Sequence, residues 1–155
     1  MKYSTKIKHG KPSTVQDILK IALSKEKSAY GFYDQLLSDG KGRGSISVFK
    51  RLRDSEEEHI KIIQRMIDKE GSGILKSQSS SNIEYKKIEK YSKPRTPVEA
   101  LELALVREKS AAEFYSGFIS NVLGNTVNLG LLVVLKKLHN AEEAHIKIIE
   151  RLLNR

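Results

Sequence analysis

The chain has 155 residues, with 28 Lys and Arg against 19 Asp and Glu, giving a formal charge of +9. That length suits one domain with a sizeable core, and the lack of cysteine excludes disulfides, iron–sulfur clusters and thiolate metal sites. Only three prolines occur, and the apolar residues recur at helical rather than alternating spacing, so the fold class is all-α.

Residues 1–12 read as a basic tail carrying Lys2, Lys6, Lys8 and Lys11. The tail has no apolar h-region, so no secretory signal is expected. No apolar run reaches membrane-spanning length, and the expectation is a soluble cytoplasmic protein. The bundle itself is expected over residues 13–155.

The first helix should start at Ser13 or Thr14, where Thr14-Val15-Gln16-Asp17 resembles a capping box with Asp in the last place. Its inward stripe is Leu19, Ala22, Glu26, Ala29, Tyr33 and Leu36, so one acid interrupts an apolar seam. Asp39-Gly40-Lys41-Gly42-Arg43-Gly44 ends it in a short turn. A second helix is expected from about Ser45 to Glu70, with the seam Phe49, Leu52, Glu56, His59, Ile63 and Met66. Residues 71–95 form a long connection, unusual in a compact domain unless it must travel the length of a bundle. A helix of about 25 residues is about 38 Å long, which an extended chain of that length covers.

Thr96-Pro97-Val98-Glu99 opens the third helix with a capping residue, a proline at the first helical position and an acid three residues after the cap. Its inward stripe is Leu101, Ala104, Glu108, Ala111, Tyr115 and Phe118. The region from Asn121 to Asn128 reads as a second turn. The fourth helix runs from about Leu129 to Leu153, with the seam Leu135, Leu138, Glu142, His145, Ile149 and Leu152.

The two halves are related. Thr14 to Tyr33 aligns with Thr96 to Tyr115 without a gap, and Ser55-Glu56-Glu57-Glu58-His59-Ile60-Lys61-Ile62-Ile63 recurs as Ala141-Glu142-Glu143-Ala144-His145-Ile146-Lys147-Ile148-Ile149. Two copies of one helical hairpin joined by a crossover predict an antiparallel four-helix bundle with pseudo-twofold symmetry.

The four seams place Glu26, Glu56, His59, Glu108, Glu142 and His145 near mid-helix, at one level of the bundle. Within each Glu-x-x-His the carboxylate and imidazole lie one turn apart on one face, able to reach one metal together. Four ionised carboxylates buried without partners are prohibitively unstable. Two divalent cations bring the sum to zero, and no lysine or arginine lies on the inward stripes to do so instead. Mixed oxygen and imidazole donors suit iron or manganese, with zinc able to substitute. A Glu from each of two helices with Glu-x-x-His from the other two is the ligand set of di-iron and di-manganese carboxylate bundles. Glu57, Glu58, Glu143, Glu102 and Glu113 read as solvated, and His9 and His139 as non-ligands. Tyr30, Tyr33 and Tyr115 read as core aromatics, the alternative being hydroxyl donation to the carboxylates.

At Glu26-Lys27-Ser28-Ala29 with Phe32-Tyr33, Glu56-x-x-His59, Glu108-Lys109-Ser110-Ala111 with Phe114-Tyr115, and Glu142-x-x-His145, the chain resembles the ferritin-like superfamily and, within it, rubrerythrin-like proteins. The likeness covers about Thr14 to Leu153. It implies a carboxylate-bridged di-iron centre with Glu56 and Glu142 bridging, Glu26 and Glu108 terminal, and His59 and His145 each capping one iron. Two departures stand out. The chain carries none of the four cysteines of a rubredoxin-type domain. Ala111 also stands where such proteins tend to place a further carboxylate, which bears on the ligand switching by which they reduce peroxide. No fifth short helix follows Arg155, so a storage cage is not expected.

The resulting expectation is a redox enzyme that reduces peroxide or dioxygen in oxidative-stress defence and is re-reduced by a separate electron-donor protein. The alternatives are an iron-binding ferroxidase without peroxidase turnover, and a non-catalytic basic module that binds nucleic acid or protein. For the third, Lys86, Lys87, Lys90, Lys93 and Arg95 add to the basic tail. No stacking aromatics or nucleic-acid motif accompany that charge, so it reads as a solubilising surface. Two similar hairpins on one linker also predict a homodimer, with exchange of hairpins between chains as one form of it.

Overall fold

Apolar side chains spaced by three and four residues give each segment one inward stripe, and four such stripes bury one another. The computed structural model describes residues 15–71, 93–125 and 129–155. Four helices occupy them: α1 (Val15–Ser38), α2 (Ile46–Gly71), α3 (Pro97–Asn125) and α4 (Leu129–Leu153). No strand occurs among the described residues. The basic tail and most of the expected crossover lie outside them.

Local chemistry sets the ends. Gly40 has φ 65°, and its N–H donates to the Leu37 carbonyl while the Lys41 N–H donates to that of Leu36. That pair of bonds is a Schellman motif, with glycine at the left-handed position where a Cβ is penalised. Two residues on, a Cβ at Gly42 would meet Phe49 Cδ2 at 2.8 Å, so glycine lets this turn close over the bundle end. At the start of α3 the Glu99 N–H donates to Thr96 Oγ1 at 3.1 Å. The Glu99 carboxylate accepts in return from the Arg95 N–H at 2.7 Å, one residue earlier than in the usual capping box.

One boundary differs from the sequence expectation. α3 continues through Val122, Leu123 and Gly124 to Asn125 rather than turning from Asn121. A single glycine costs about 1 kcal/mol relative to alanine in a helix, which is too little to end one without a second breaker.

α1 packs on α2 and α3 on α4, while α1 meets α3 and α2 meets α4 across the hairpins. Two apolar clusters show how the hairpins lie. One joins Ile18, Leu19 and Ala22 from the start of α1 with Ile63 and Met66 late in α2, Tyr115 late in α3, and Leu131, Leu135 and Leu138 early in α4. The other joins Tyr33, Leu36, Phe49, Leu52, Ala100, Leu101, Ala104 and Ile149. Each packed pair is therefore antiparallel, and α2 and α3 run the same way, so the chain between them must cross from one end of the bundle to the other. Between the two apolar clusters lies a layer of buried polar residues: Glu26, Glu56, His59, Glu108, Glu142 and His145.

The cap at Thr96 gives a direct check. Thr96→Ala removes the acceptor for the Glu99 N–H and should lower unfolding stability by about 1 kcal/mol in urea titration, without changing the ligand-binding layer. A loss of less than a few tenths would mean that the α3 cap contributes nothing.

Candidate metal centre

The six polar residues come from all four helices because each stands mid-stripe. Glu26 on α1 and Glu108 on α3 are 2% and 1% exposed, and Glu56 on α2 and Glu142 on α4 are 1% exposed each. His59 and His145 follow their acids by one turn on α2 and α4. Their rings stack with centroids 5.8 Å apart.

The contacts divide into two half-sites. His59 Nδ1 lies 3.1 Å from Glu26 Oε2, 3.2 Å from Glu56 Oε2 and 3.3 Å from Glu142 Oε1. His145 Nδ1 lies 3.0 Å from Glu108 Oε2, 3.4 Å from Glu142 Oε2 and 3.4 Å from Glu56 Oε1. Glu26 thus belongs to one half and Glu108 to the other. Glu56 and Glu142 each send one oxygen to each half. Two quartets result, Glu26-Glu56-His59-Glu142 and Glu56-Glu108-Glu142-His145, and in each the donor atoms lie within 4.8 Å of one another. All six residues singled out in the sequence come together here, and the two seam acids from α2 and α4 are the shared ones.

Glu56 Oε1 and Glu142 Oε1 are buried without a hydrogen-bond partner. Each is within ion-pairing reach of an imidazole, at 3.4 Å and 3.3 Å, but not aligned for a hydrogen bond. A buried carboxylate oxygen left unpaired is costly, and these two are the oxygens that reach across from one half-site to the other. A pair of cations in the two quartets would satisfy both. The donor set, oxygen-rich with one imidazole per quartet, suits iron, manganese or zinc.

Without metal, protons do the same work. Burial raises Glu26 and Glu108 well above the usual carboxyl range, although His59 and His145 oppose it. Burial also acts on Glu56 and Glu142, but the neighbouring groups outweigh it and hold both below the usual value, His145 and His59 at Glu56, and Glu108 and His145 at Glu142. In each half-site the α1 or α3 acid therefore holds a proton more readily than the shared acid beside it. Burial opposes the imidazolium forms, yet the surrounding carboxylates raise His59 to about 12 and His145 to about 11. Protonated acids and imidazolium rings thus offset the charge of the ionised carboxylates in each half-site.

A second pattern follows the pseudo-twofold axis. The Tyr33 hydroxyl of α1 donates to Glu108 of α3, and the Tyr115 hydroxyl of α3 donates to Glu26 of α1. Both tyrosines are fully buried, and burial followed by the charge of the facing glutamate raises both well above the usual phenol value. Lys25 Nζ lies 5.0 Å from the Phe114 ring centre, and the Arg107 guanidinium lies 4.5 Å from that of Phe32. These cation–π contacts also cross from α1 to α3 in both directions. The two tyrosines are thus core aromatics and carboxylate donors at once. Tyr30 is half-buried beside Arg53. Glu57, Glu58, Glu102 and Glu113 are exposed, whereas Glu143 is half-buried, 4.0 Å from His139 Nε2. His9 lies outside the described residues.

Sequence reasoning passed over Lys25 and Arg107, which precede Glu26 and Glu108 at equivalent places, and Ser55. Ser55 Oγ lies 3.0 Å from His145 Nε2 and 3.5 Å from His59 Nε2. The signal for the first pair was present: both halves put a cation just before the seam acid and an aromatic seven residues after the cation. Ser55 gave no such signal, because its counterpart in the second half is Ala141.

Residues 17–153 match the family model for rubrerythrin, and the chain belongs to that ferritin-like family. No curated protein and no solved structure matches it. The family and the buried Glu/His cluster together fit a di-iron protein. No helix among the described residues is long and apolar enough to cross a membrane.

The protonated cluster sets a pH dependence. Glu26, Glu108, His59 and His145 bind protons more tightly in the folded metal-free chain than in the unfolded one. Their contribution is complete below the unfolded values and is lost as pH rises. Glu56 and Glu142 act oppositely and lose theirs as pH falls below the usual carboxyl range. The Tm of metal-free protein should therefore fall from pH 6.5 to pH 9, while that of metal-loaded protein does not. Loading divalent ions should release protons, measurable by titration calorimetry in buffers of different ionisation enthalpy. Absence of proton release would contradict a cluster that holds protons without metal.

Proposed function

We propose that this rubrerythrin-family chain is a carboxylate-bridged di-iron redox enzyme that reduces peroxide or dioxygen, and so acts in oxidative-stress defence. One observation carries the reading: Glu56 and Glu142 each divide their two oxygens between two half-sites, each of which has its own glutamate and its own histidine. A single-ion site has no need of that division. Glu26 and His59 would hold one ion, Glu108 and His145 the other, and Glu56 and Glu142 would bridge them.

When bound, a pair of ferrous ions supplies the two electrons that reduction of hydrogen peroxide to water requires. The rest is the work of the chain. Tyr33 and Tyr115 keep their protons and hold Glu108 and Glu26 by their outer oxygens, which leaves the other oxygen of each facing its histidine. The apolar clusters on either side keep bulk water from the layer, which strengthens every charge interaction within it. Ala111 packs against one of those clusters and offers no donor atom, so the reading rests on six residues. Re-reduction falls to a separate electron-donor protein.

The test is an anaerobic ferrous titration of metal-free protein, followed by stopped-flow mixing of the loaded protein with peroxide. Saturation is expected near two irons per chain, about the stoichiometry of di-iron bundles. Glu56→Ala should weaken both ions because Glu56 belongs to both quartets, whereas Glu26→Ala should weaken one. Peroxide should oxidise the loaded protein faster than free ferrous iron. Oxidation no faster than that would end the peroxidase reading, and loading well beyond two irons would mark a protein that sequesters iron instead.

Replacing Tyr33 and Tyr115 separates bridging from positioning. Tyr33→Phe should keep two irons but lower affinity at the His145 half by about ten-fold, as loss of an outer hydrogen bond to a ligand does. Equal weakening of both ions would contradict the crossed pairing.

A further inference from the structure

The two imidazoles turn one nitrogen each toward the carboxylates and the other toward a single hydroxyl. His59 and His145 both present Nδ1 to the glutamates, and both present Nε2 to Ser55 Oγ, at 3.5 Å and 3.0 Å. Ser55 stands one turn before His59 on α2, so one residue of one helix reaches the outer edges of rings on two helices. The symmetry of the bundle does not demand this, since the equivalent place on α4 is Ala141.

We infer that Ser55 is a positioning residue that anchors the outer nitrogen, Nε2, of both metal-ligating histidines and so keeps Nδ1 of each turned toward the cation site; this rests on the di-metal reading above. An imidazole that ligates a cation through one nitrogen carries its proton on the other, and the partner of that N–H sets the orientation of the ring. A serine oxygen has two lone pairs, enough to accept from both rings at once. The arrangement serves both states. In the metal-free structure Nε2 of each ring faces Ser55. With a cation at Nδ1 the Nε2–H is still there and still faces Ser55. Binding at Nδ1 would therefore leave the outer contacts in place, so the rings need not rotate. The shorter contact is to His145, which makes that ring the more dependent of the two.

The experiment uses the whole chain with Ser55→Ala and Ser55→Thr. Alanine already occupies the matching place at Ala141, and circular dichroism confirms that each variant is helical. Nitrogen-15 NMR of metal-free protein is read first. Wild type and Ser55→Thr should show two slowly exchanging Nε2–H signals, and Ser55→Ala should shift both and speed their exchange, His145 most. This readout does not depend on metal, so it stands even if the di-metal reading fails. Zinc(II) affinity is then measured by competition with a chelator. Ser55→Ala should lose about ten-fold, and Ser55→Thr should restore it. Unmoved Nε2–H signals in Ser55→Ala, unchanged zinc affinity, or a threonine variant no better than alanine would each overturn the role. No zinc binding by wild type would instead overturn the di-metal reading.

Discussion

The structure depends on neutralising four carboxylates in the middle of a helical bundle. Glu26, Glu56, Glu108 and Glu142 are all at most 2% exposed, and taking one such charge out of water costs several kcal/mol even after relaxation. Nothing about helix formation requires acids there. A leucine at each place would pack, as the apolar residues above and below the layer do. The acids are tolerated because the layer contains its own means of balance, with two histidines among them and two tyrosine hydroxyls at their outer edges. For Glu26 and Glu108 those partners come only from other helices, so the four helices must adopt one mutual register for all the acids to be satisfied.

That register is fixed by exchange between the hairpins. Within a hairpin the helices pack along their lengths. Between hairpins, α1 and α3 cross, and what crosses with them is reciprocal: Tyr33 to Glu108 and Tyr115 to Glu26, Lys25 to Phe114 and Arg107 to Phe32. Even the neighbouring Phe32–Tyr33 and Phe114–Tyr115 ring pairs match, each edge-to-face with centroids 5.2 Å apart. A duplicated hairpin produces these contacts twice, so one favourable pairing supplies two. Across α2 and α4 the symmetry is broken, because Ser55 meets both histidines and Ala141 cannot. The shared carboxylates make that face the one where the two half-sites communicate.

Much of this was legible in the residues. The seams, the hairpin repeat, the need for a crossover the length of the bundle and the meeting of Glu26, Glu56, His59, Glu108, Glu142 and His145 all follow from a period of 3.6 with acids at equivalent places. Three things were not. The length of α3 was hidden by Gly124, since one glycine among the spaced asparagines Asn121, Asn125 and Asn128 looks like a turn when helix packing is unknown. The part of Lys25 and Arg107 was hidden because they sit beside the inward stripe, and a lysine there reads as solvated until a facing phenylalanine is placed. Ser55 was hidden because a hydroxyl one turn before a histidine is commonplace, and only the crossing of α2 with α4 brings the second imidazole to it.

The choice of neutralising groups says more than their number. Lysine or arginine could have balanced the glutamates, but arginine keeps its charge at any ordinary pH and neither has a lone pair for a metal while charged. The groups present are carboxyls and imidazoles, each of which can give up a proton and offer a lone pair in its place. Where a proton beside a carboxylate or an imidazole Nδ1 offsets charge in the metal-free layer, a cation would take its place, while the tyrosine and Nε2 contacts at the outer edges stay. Burial favours the protonated forms of Glu26 and Glu108, and the facing carboxylates favour the imidazolium forms of His59 and His145, so the layer has its own means of offsetting charge without metal. Divalent ions in the two quartets would supply the same compensation, with the orphaned oxygens of Glu56 and Glu142 already directed toward them.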